Sequence, residues 1–264
     1  MVNPVALQLG PLQIRWYGIC AAIGFALVYL YVLRRGRKQG ISEDNAADLM
    51  TWTALSALVG ARAFYVITQW RAEFAGGSFW NVFAVWQGGL VFYGGFIFAA
   101  ISLVGFCRIR KLPMLVVADL LAAALPLGHA VGRIGCWLNG CCYGGTYDGP
   151  LAVTYAGNRV GEQGPFFPIQ LLGSAGNLAL FGLLFYLSTR IRKPGWLLPI
   201  YMLCYATTRL IAESFRGDYA NAHTFVSFAG LTLTPAQAVC LFITIPGGLA
   251  ILAGVAWHYR RSKT

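Results

Sequence analysis

Seven apolar runs alternate with short polar stretches along the chain. They cover 14–33, 48–67, 89–107, 114–134, 168–187, 196–215 and 235–257. Each is close to the roughly 20 residues that carry a helix across a bilayer core. The pattern predicts an all-α polytopic membrane protein: seven transmembrane helices in a single domain over 1–264. The first run is read as a span and not as a cleaved leader.

Composition points the same way. Only 11% of residues are charged and 58% are hydrophobic, whereas a soluble domain carries about 25% charged residues. The net charge of +11 invites a nucleic-acid reading, but the basic residues cluster in short loops between apolar runs, so no nucleic-acid partner is expected.

Thirteen of the 20 basic residues fall in four clusters: Arg34, Arg35, Arg37 and Lys38; Arg108, Arg110 and Lys111; Arg190, Arg192 and Lys193; Arg260, Arg261 and Lys263. The clusters lie two spans apart. The positive-inside rule makes that side cytoplasmic, with the N-terminus outside and the C-terminus inside. The other seven are Arg15, Arg62, Arg71, Arg133, Arg159, Arg209 and Arg216, all arginine and all expected on the outer side or within a span. A guanidinium presents a planar fork to phosphate or carboxylate, which points to an anion site in the outer half of the membrane. Snorkelling to headgroups is an equal alternative for Arg15, Arg71 and Arg159. Arg62, Arg133 and Arg209 have apolar neighbours on both sides, where a charge is costly unless it has work to do.

Arg209, Glu213 and Arg216 share one helical face. They form either a self-neutralising buried cluster or, through their excess positive charge, part of an anion site. The stretch from Gly132 to Gly145 ends the fourth run with Arg133, Asn139, glycines and three cysteines. Cys136, Cys141 and Cys142 leave soft-metal binding, disulfide formation, thiol transfer and plain packing open. Cys20, Cys107, Cys204 and Cys240 read as packing residues. His129 is a packing residue or a proton carrier, and Asp119 a helix-dipole or pairing residue. Trp70, Trp80 and Trp86 suit an interfacial belt. The loop between Cys136 and Phe167 is a lid or a tolerated surface loop.

These residues carry a resemblance. Gly132-Arg133-Ile134-Gly135 through Asn139-Gly140 to Gly144 resembles the signature of the bacterial prolipoprotein diacylglyceryl transferases. Ile14 to Gly18, Gly60-Ala61-Arg62 through Tyr65, Val85-Trp86-Gln87-Gly88-Gly89-Leu90 through Gly95, and Phe167 to Leu171 match that family in order. Arg209, Glu213 and Arg216, followed by Asp218, resemble its charged sixth span.

The resemblance implies transfer of a diacylglyceryl group from phosphatidylglycerol to the thiol of a lipobox cysteine in a prolipoprotein signal peptide. It implies a monomer in the bacterial inner membrane, with its site facing outward and no metal or other cofactor. The catalytic candidates are Arg133, Arg209, Glu213, Tyr93 and Tyr17. The substrate-binding candidates are Asn139, Gly144, Arg62, Arg216, Gln170, Cys136, Cys141 and Cys142. Three positions depart from the family pattern. Tyr93 stands where a histidine, the usual candidate base, is often found, and tyrosine with a reference pKa of about 10 is a poor base near neutrality. Cys136 replaces a frequent asparagine, and Cys141 a common acidic residue. The alternatives are a repurposed member using the three cysteines for thiol, soft-metal or other sulfur chemistry, and a non-catalytic lipid-binding or transport protein on the same scaffold.

Overall fold

The computed structural model describes residues 4–10, 12–85, 88–155, 164–217, 226–228 and 231–261. It is mostly helical. Among the described residues, six helices are long and apolar enough to cross a membrane: Trp16–Arg37, Glu43–Phe74, Phe92–Ile109, Met114–Asn139, Ile169–Arg190 and Pro235–Arg261. In the most apolar 18-residue stretch of each, at most 44% is buried. Residues such as Ile67, Ile101 and Ile109 point outward, as side chains facing lipid do.

The expected run at 196–215 does form a helix, Leu197–Ser214. It is not among the six, because Arg209, Glu213 and neighbouring hydroxyls dilute its hydropathy. Two short hairpins also depart from the all-helical expectation: β1 (Val5–Leu9) with β2 (Leu12–Arg15), and β3 (Val226–Phe228) with β4 (Leu231–Leu233). Gly10, at φ +59°, makes the first turn.

Two compact units emerge, Val32–Val117 and Met1–Tyr31 with Ala118–Thr264. The first is built on α2 (Glu43–Gln69) and α3 (Phe92–Ile109). Ser42 caps α2 by accepting from the Asn45 amide, and Glu43 and Asp44 complement its N-terminal dipole. Gly60 on α2 faces Gly94 on α3 so closely that a Cβ on either would strike the other's carbonyl oxygen. Such small-residue contacts let helices approach in lipid, where hydrophobicity alone does not join them. Past α2 the chain continues through a π turn (Trp70–Phe74) and a 3-10 turn (Phe79–Phe83).

The second unit carries α1 (Trp16–Arg37) up to Tyr31, most of α4 (Met114–Asn139), α5 (Ile169–Arg190), α6 (Leu197–Ser214), α7 (Pro235–Val239) and α8 (Ile245–Arg261). Ala122, Ala123, Leu180, Leu184, Leu197 and Tyr201 form its core. Asp119 accepts from the Gly195 and Leu198 amides at 2.7 and 2.9 Å, so it caps the start of α6. Ser174 donates to the Ala130 carbonyl at 2.9 Å and ties α5 to α4. Helix α4 runs through buried Pro126 and reaches Asn139, five residues beyond the expected end. Arg133 and Cys136 are therefore helical.

Candidate functional site

Gly140, at φ +66°, ends α4 in the left-handed conformation that closes many helices. The Cys141 amide then donates back to the Cys136 carbonyl at 3.1 Å. Cys142 also adopts a left-handed backbone, at φ 60°. The next residues are clasped from two sides by main chain. The Gly144 amide donates to Phe167 O at 2.9 Å, Gly145 N to Phe215 O at 3.2 Å, and Gly217 N to Tyr143 O at 3.2 Å. Gly144 and Arg216 are bridge partners. A Cβ at Gly144 would lie 2.9 Å from Phe167 Cβ and O and 3.1 Å from Phe215 O, so only glycine fits.

Arg216 is thus delivered to the end of α4 by the backbone. Its partner in charge is Glu213, whose side chain is wholly buried. Arg209 Nη2 lies 2.9 Å and Arg216 Nη1 3.5 Å from Glu213 Oε2. The Thr234 hydroxyl donates to Oε1 at 2.9 Å. Two guanidinium groups thus share the carboxylate of Glu213. Arg209 Nη1 is buried and has no hydrogen-bond partner among the described residues.

Arg133 lies along Gly173 of α5; a Cβ there would meet its Cδ at 3.6 Å. It is half-buried and makes no hydrogen bond or ion pair among the described residues. It is within electrostatic range of His129 together with Arg209, and of Cys142 together with Arg216. The arginines at 133, 209 and 216 therefore act on one small region. His129 itself meets the Tyr201 hydroxyl through Nδ1 at 3.4 Å. Tyr17, exposed at the start of α1, packs on Gly135 and lies within range of Arg133 and the three thiols.

Gln170 is fully buried and holds the turn from below. Its Nε2 donates to Cys141 O at 2.8 Å and contacts the Tyr155 hydroxyl at 3.2 Å. Burial pushes the Tyr155 phenol up to about 12, so it stays protonated. Tyr143, Tyr155 and Phe166 form a small core of their own, with Trp137 and Val153 against it. The loop after α4 is thus packed where it is described. Asn139 Nδ2 approaches Cys141 Sγ at 3.6 Å. Hydrogen bonds from Cys136 and Cys141, with help from Arg216 and Arg133, draw the Cys142 thiol below its usual range against the effect of burial.

Arg62 and Tyr93 belong to the Val32–Val117 unit. Arg62 is buried, and its guanidinium is committed to the following loop. Nε donates to Val82 O at 2.7 Å, Nη2 to Asn81 O at 2.6 Å, and Nη1 to Gly88 O and Gly89 O at 2.8 and 3.1 Å. Tyr65 and Phe74 flank it at 5.5 and 5.6 Å. Tyr93 is exposed near the start of α3. Trp86, Gln87, Arg159, Asp218 and His223 lie outside the described residues.

Sequence reasoning missed Thr234. Thr234 and Gln237 do carry the spacing of a helix capping box, which the structure forms. Nothing in that spacing announces Glu213 as the hydroxyl's partner.

A profile of the family described as Prolipoprotein diacylglyceryl transferase matches residues 4–253. Curated relatives agree. A protein of Legionella pneumophila (strain Lens) named phosphatidylglycerol–prolipoprotein diacylglyceryl transferase is 36% identical over 236 residues, 88% of this chain and 90% of its own length. One of the same name from Chromohalobacter salexigens is 31% identical over 264 residues, 98% of this chain and 94% of its own. Another, from Finegoldia magna, is 33% identical over 218 residues, 82% of this chain and 85% of its own.

Proposed function

The chain belongs to the prolipoprotein diacylglyceryl transferase family, and on that premise we propose how its residues divide the work. It is a membrane transferase of lipoprotein biosynthesis, with phosphatidylglycerol as donor and a prolipoprotein as acceptor. The acceptor cysteine's sulfur attacks the donor carbon that bears the phosphate ester. A C–S bond forms, the C–O bond breaks, and glycerol phosphate leaves with the electron pair. The reaction needs cations for the departing phosphate and an acceptor for the thiol proton.

Arg133 and Arg209 hold the phosphate. The observation that carries this reading is the half-buried Arg133 guanidinium, without a hydrogen-bond or ion-pair partner among the described residues, together with Arg209, whose buried Nη1 has no hydrogen-bond partner there either. Glu213 orients Arg209 and Arg216. Its Oε1 accepts from Thr234, its Oε2 faces the two guanidinium groups, and His129 meets Tyr201, so the phosphate itself is the favoured proton acceptor. Tyr17 and Asn139 line the site, with Cys136, Cys141 and Cys142 at its edge; Tyr93, on the Val32–Val117 unit, is a catalytic candidate by its position in the family pattern. Gly144 and Gln170 fix the loop that delivers Arg216. Arg62 serves substrate binding indirectly, by bracing the backbone at Asn81, Val82, Gly88 and Gly89.

The chain acts as one domain and a monomer in the bacterial inner membrane, with α6 as a seventh span. Its N-terminus and site face outward. Basic residues at the C-terminal ends of α1, α3, α5 and α8 support that orientation and complement those helices' dipoles. The test is transfer by the purified chain from phosphatidylglycerol to a lipobox peptide, read as the mass gain of a diacylglyceryl group on cysteine. No transfer where a control transferase works overturns the reading. Labelling that places the loop around Thr146 in the cytoplasm overturns the orientation.

A further inference from the structure

The mechanism above leaves three thiols unused. Cys136, Cys141 and Cys142 bring their Sγ atoms within 4.8 Å of one another, and all seven cysteines of the chain are free. We propose that this trio is a three-thiolate binding site for a soft d10 cation, with Cu(I) the best fit.

The geometry is close to closed. Three sulfurs around a cation at about 2.3 Å stand about 4 Å apart, so small side-chain rotations complete the ring. The backbone has prepared it. The left-handed cap at Gly140 folds Cys141 back over Cys136. The left-handed Cys142 is costly for a residue with a Cβ and persists only where its surroundings over-determine it. Gln170 pins the Cys141 carbonyl, and Asn139 offers an amide hydrogen to its sulfur. Hydrogen bonding of this kind orients ligands around a metal.

Ligand type and charge choose the cation. Thiolates select Cu(I) and Zn(II) over harder ions. Among the described residues no fourth His, Cys, Asp or Glu joins the group, and a structural zinc site wants four ligands. Three-coordinate Cu(I) needs none. Binding converts three thiols and Cu(I) into a tris-thiolate complex and three released protons, with no change of oxidation state. The complex carries two negative charges. Arg133 and Arg216, both within electrostatic range of Cys142, oppose them. The site therefore stands whether or not Arg133 holds a headgroup. If it does, copper and phosphate compete for the same cation.

The full chain, purified in detergent under anaerobic reducing conditions, is titrated with Cu(I) against a colorimetric Cu(I) chelator. Stoichiometric capture is expected, with affinity falling at least about 10- to 100-fold in Cys136→Ser and in Cys141→Ser. Both positions have ordinary helical or loop backbone, and thermal unfolding verifies that the variants are folded. X-ray absorption should count three sulfurs around the copper. Three results overturn the proposal: no capture from the chelator; capture unchanged in folded serine variants, which assigns the copper to other cysteines; or a disulfide within the trio in protein whose thiols were blocked at cell lysis. Failure of diacylglyceryl transfer in a chain that captures copper bears on the proposed function alone.

Discussion

Thr234 donates its hydroxyl to Glu213 Oε1 at 2.9 Å, and so a residue at the start of α7 completes the shell of a carboxylate on α6. The same hydroxyl oxygen accepts from the Gln237 amide as the cap of α7. Thr234→Val keeps the shape and removes both roles. A buried acceptor left unpaired costs about 1–3 kcal/mol, and a lost cap costs about 1 kcal/mol. The detergent-solubilised Val variant should unfold at a lower temperature, and Thr234→Ser should retain most of the stability. Equal melting of wild type and Val variant would remove Thr234 from the cluster.

Arg133 has no structural partner to lose among the described residues. Arg133→Lys should therefore leave thermal stability nearly unchanged while transfer falls by about 10²–10³, the loss typical of a donor aimed at developing charge. Lys keeps the charge but lacks the fork. Arg71→Ala, on the exposed π turn, should be mild. Comparable losses at Arg71 and Arg133 would deny the half-buried position any special part.

Arg62 behaves in the opposite sense. Its donors serve carbonyls at Asn81, Val82, Gly88 and Gly89. Arg62→Ala should destabilise the chain, since each orphaned buried carbonyl costs about 1–3 kcal/mol. Limited proteolysis should then cut within 75–90 before other loops. A variant with normal melting and protease resistance but a raised KM for phosphatidylglycerol would mark Arg62 as a direct lipid ligand.

Tyr93 stands where the family often has a histidine. Tyr93→His restores a group with a reference pKa of about 6.5 and should preserve or raise transfer to a lipobox peptide. Any gain should grow as pH rises through that value and the imidazole becomes neutral. A folded His variant that has lost transfer would show that this chain depends on the phenol itself.

Much of this was legible in the hydrophobic pattern. A span must be apolar for about 20 residues, so each helix announced itself, and the Arg209–Glu213 pair followed from helical spacing; Arg216 does not share that helical face, because α6 ends at Ser214 and Arg216 reaches Glu213 from a backbone bridge to Gly144. The four-stranded remainder was not legible, because strands of three to five residues are too short to set a pattern. Nor was the end of α4, because the apolar run read from sequence stops at Ile134 while the helix continues to Asn139. Arg62 shows the deeper limit. Sequence reveals that an apolar run contains a cation. It does not reveal whether the anion or acceptor is a substrate or a backbone carbonyl 19 to 27 residues away.

The shared carboxylate has a consequence for biogenesis. Arg209 and Glu213 make α6 a poor candidate for independent insertion, since a charge at a bilayer centre costs about 2.5–3.5 kcal/mol on translocon scales. The buried Glu213 carboxylate lacks the hydrogen bond to its Oε1 until Thr234, 21 residues later, has been synthesised and docked. Helix α8, which packs on α6 together with α5, comes later still. The nascent helix must therefore wait beside the translocon until the last segment emerges. Truncation before residue 234 should strand α6 outside the lipid, and assembly of the anion site would be the final event in the chain's maturation.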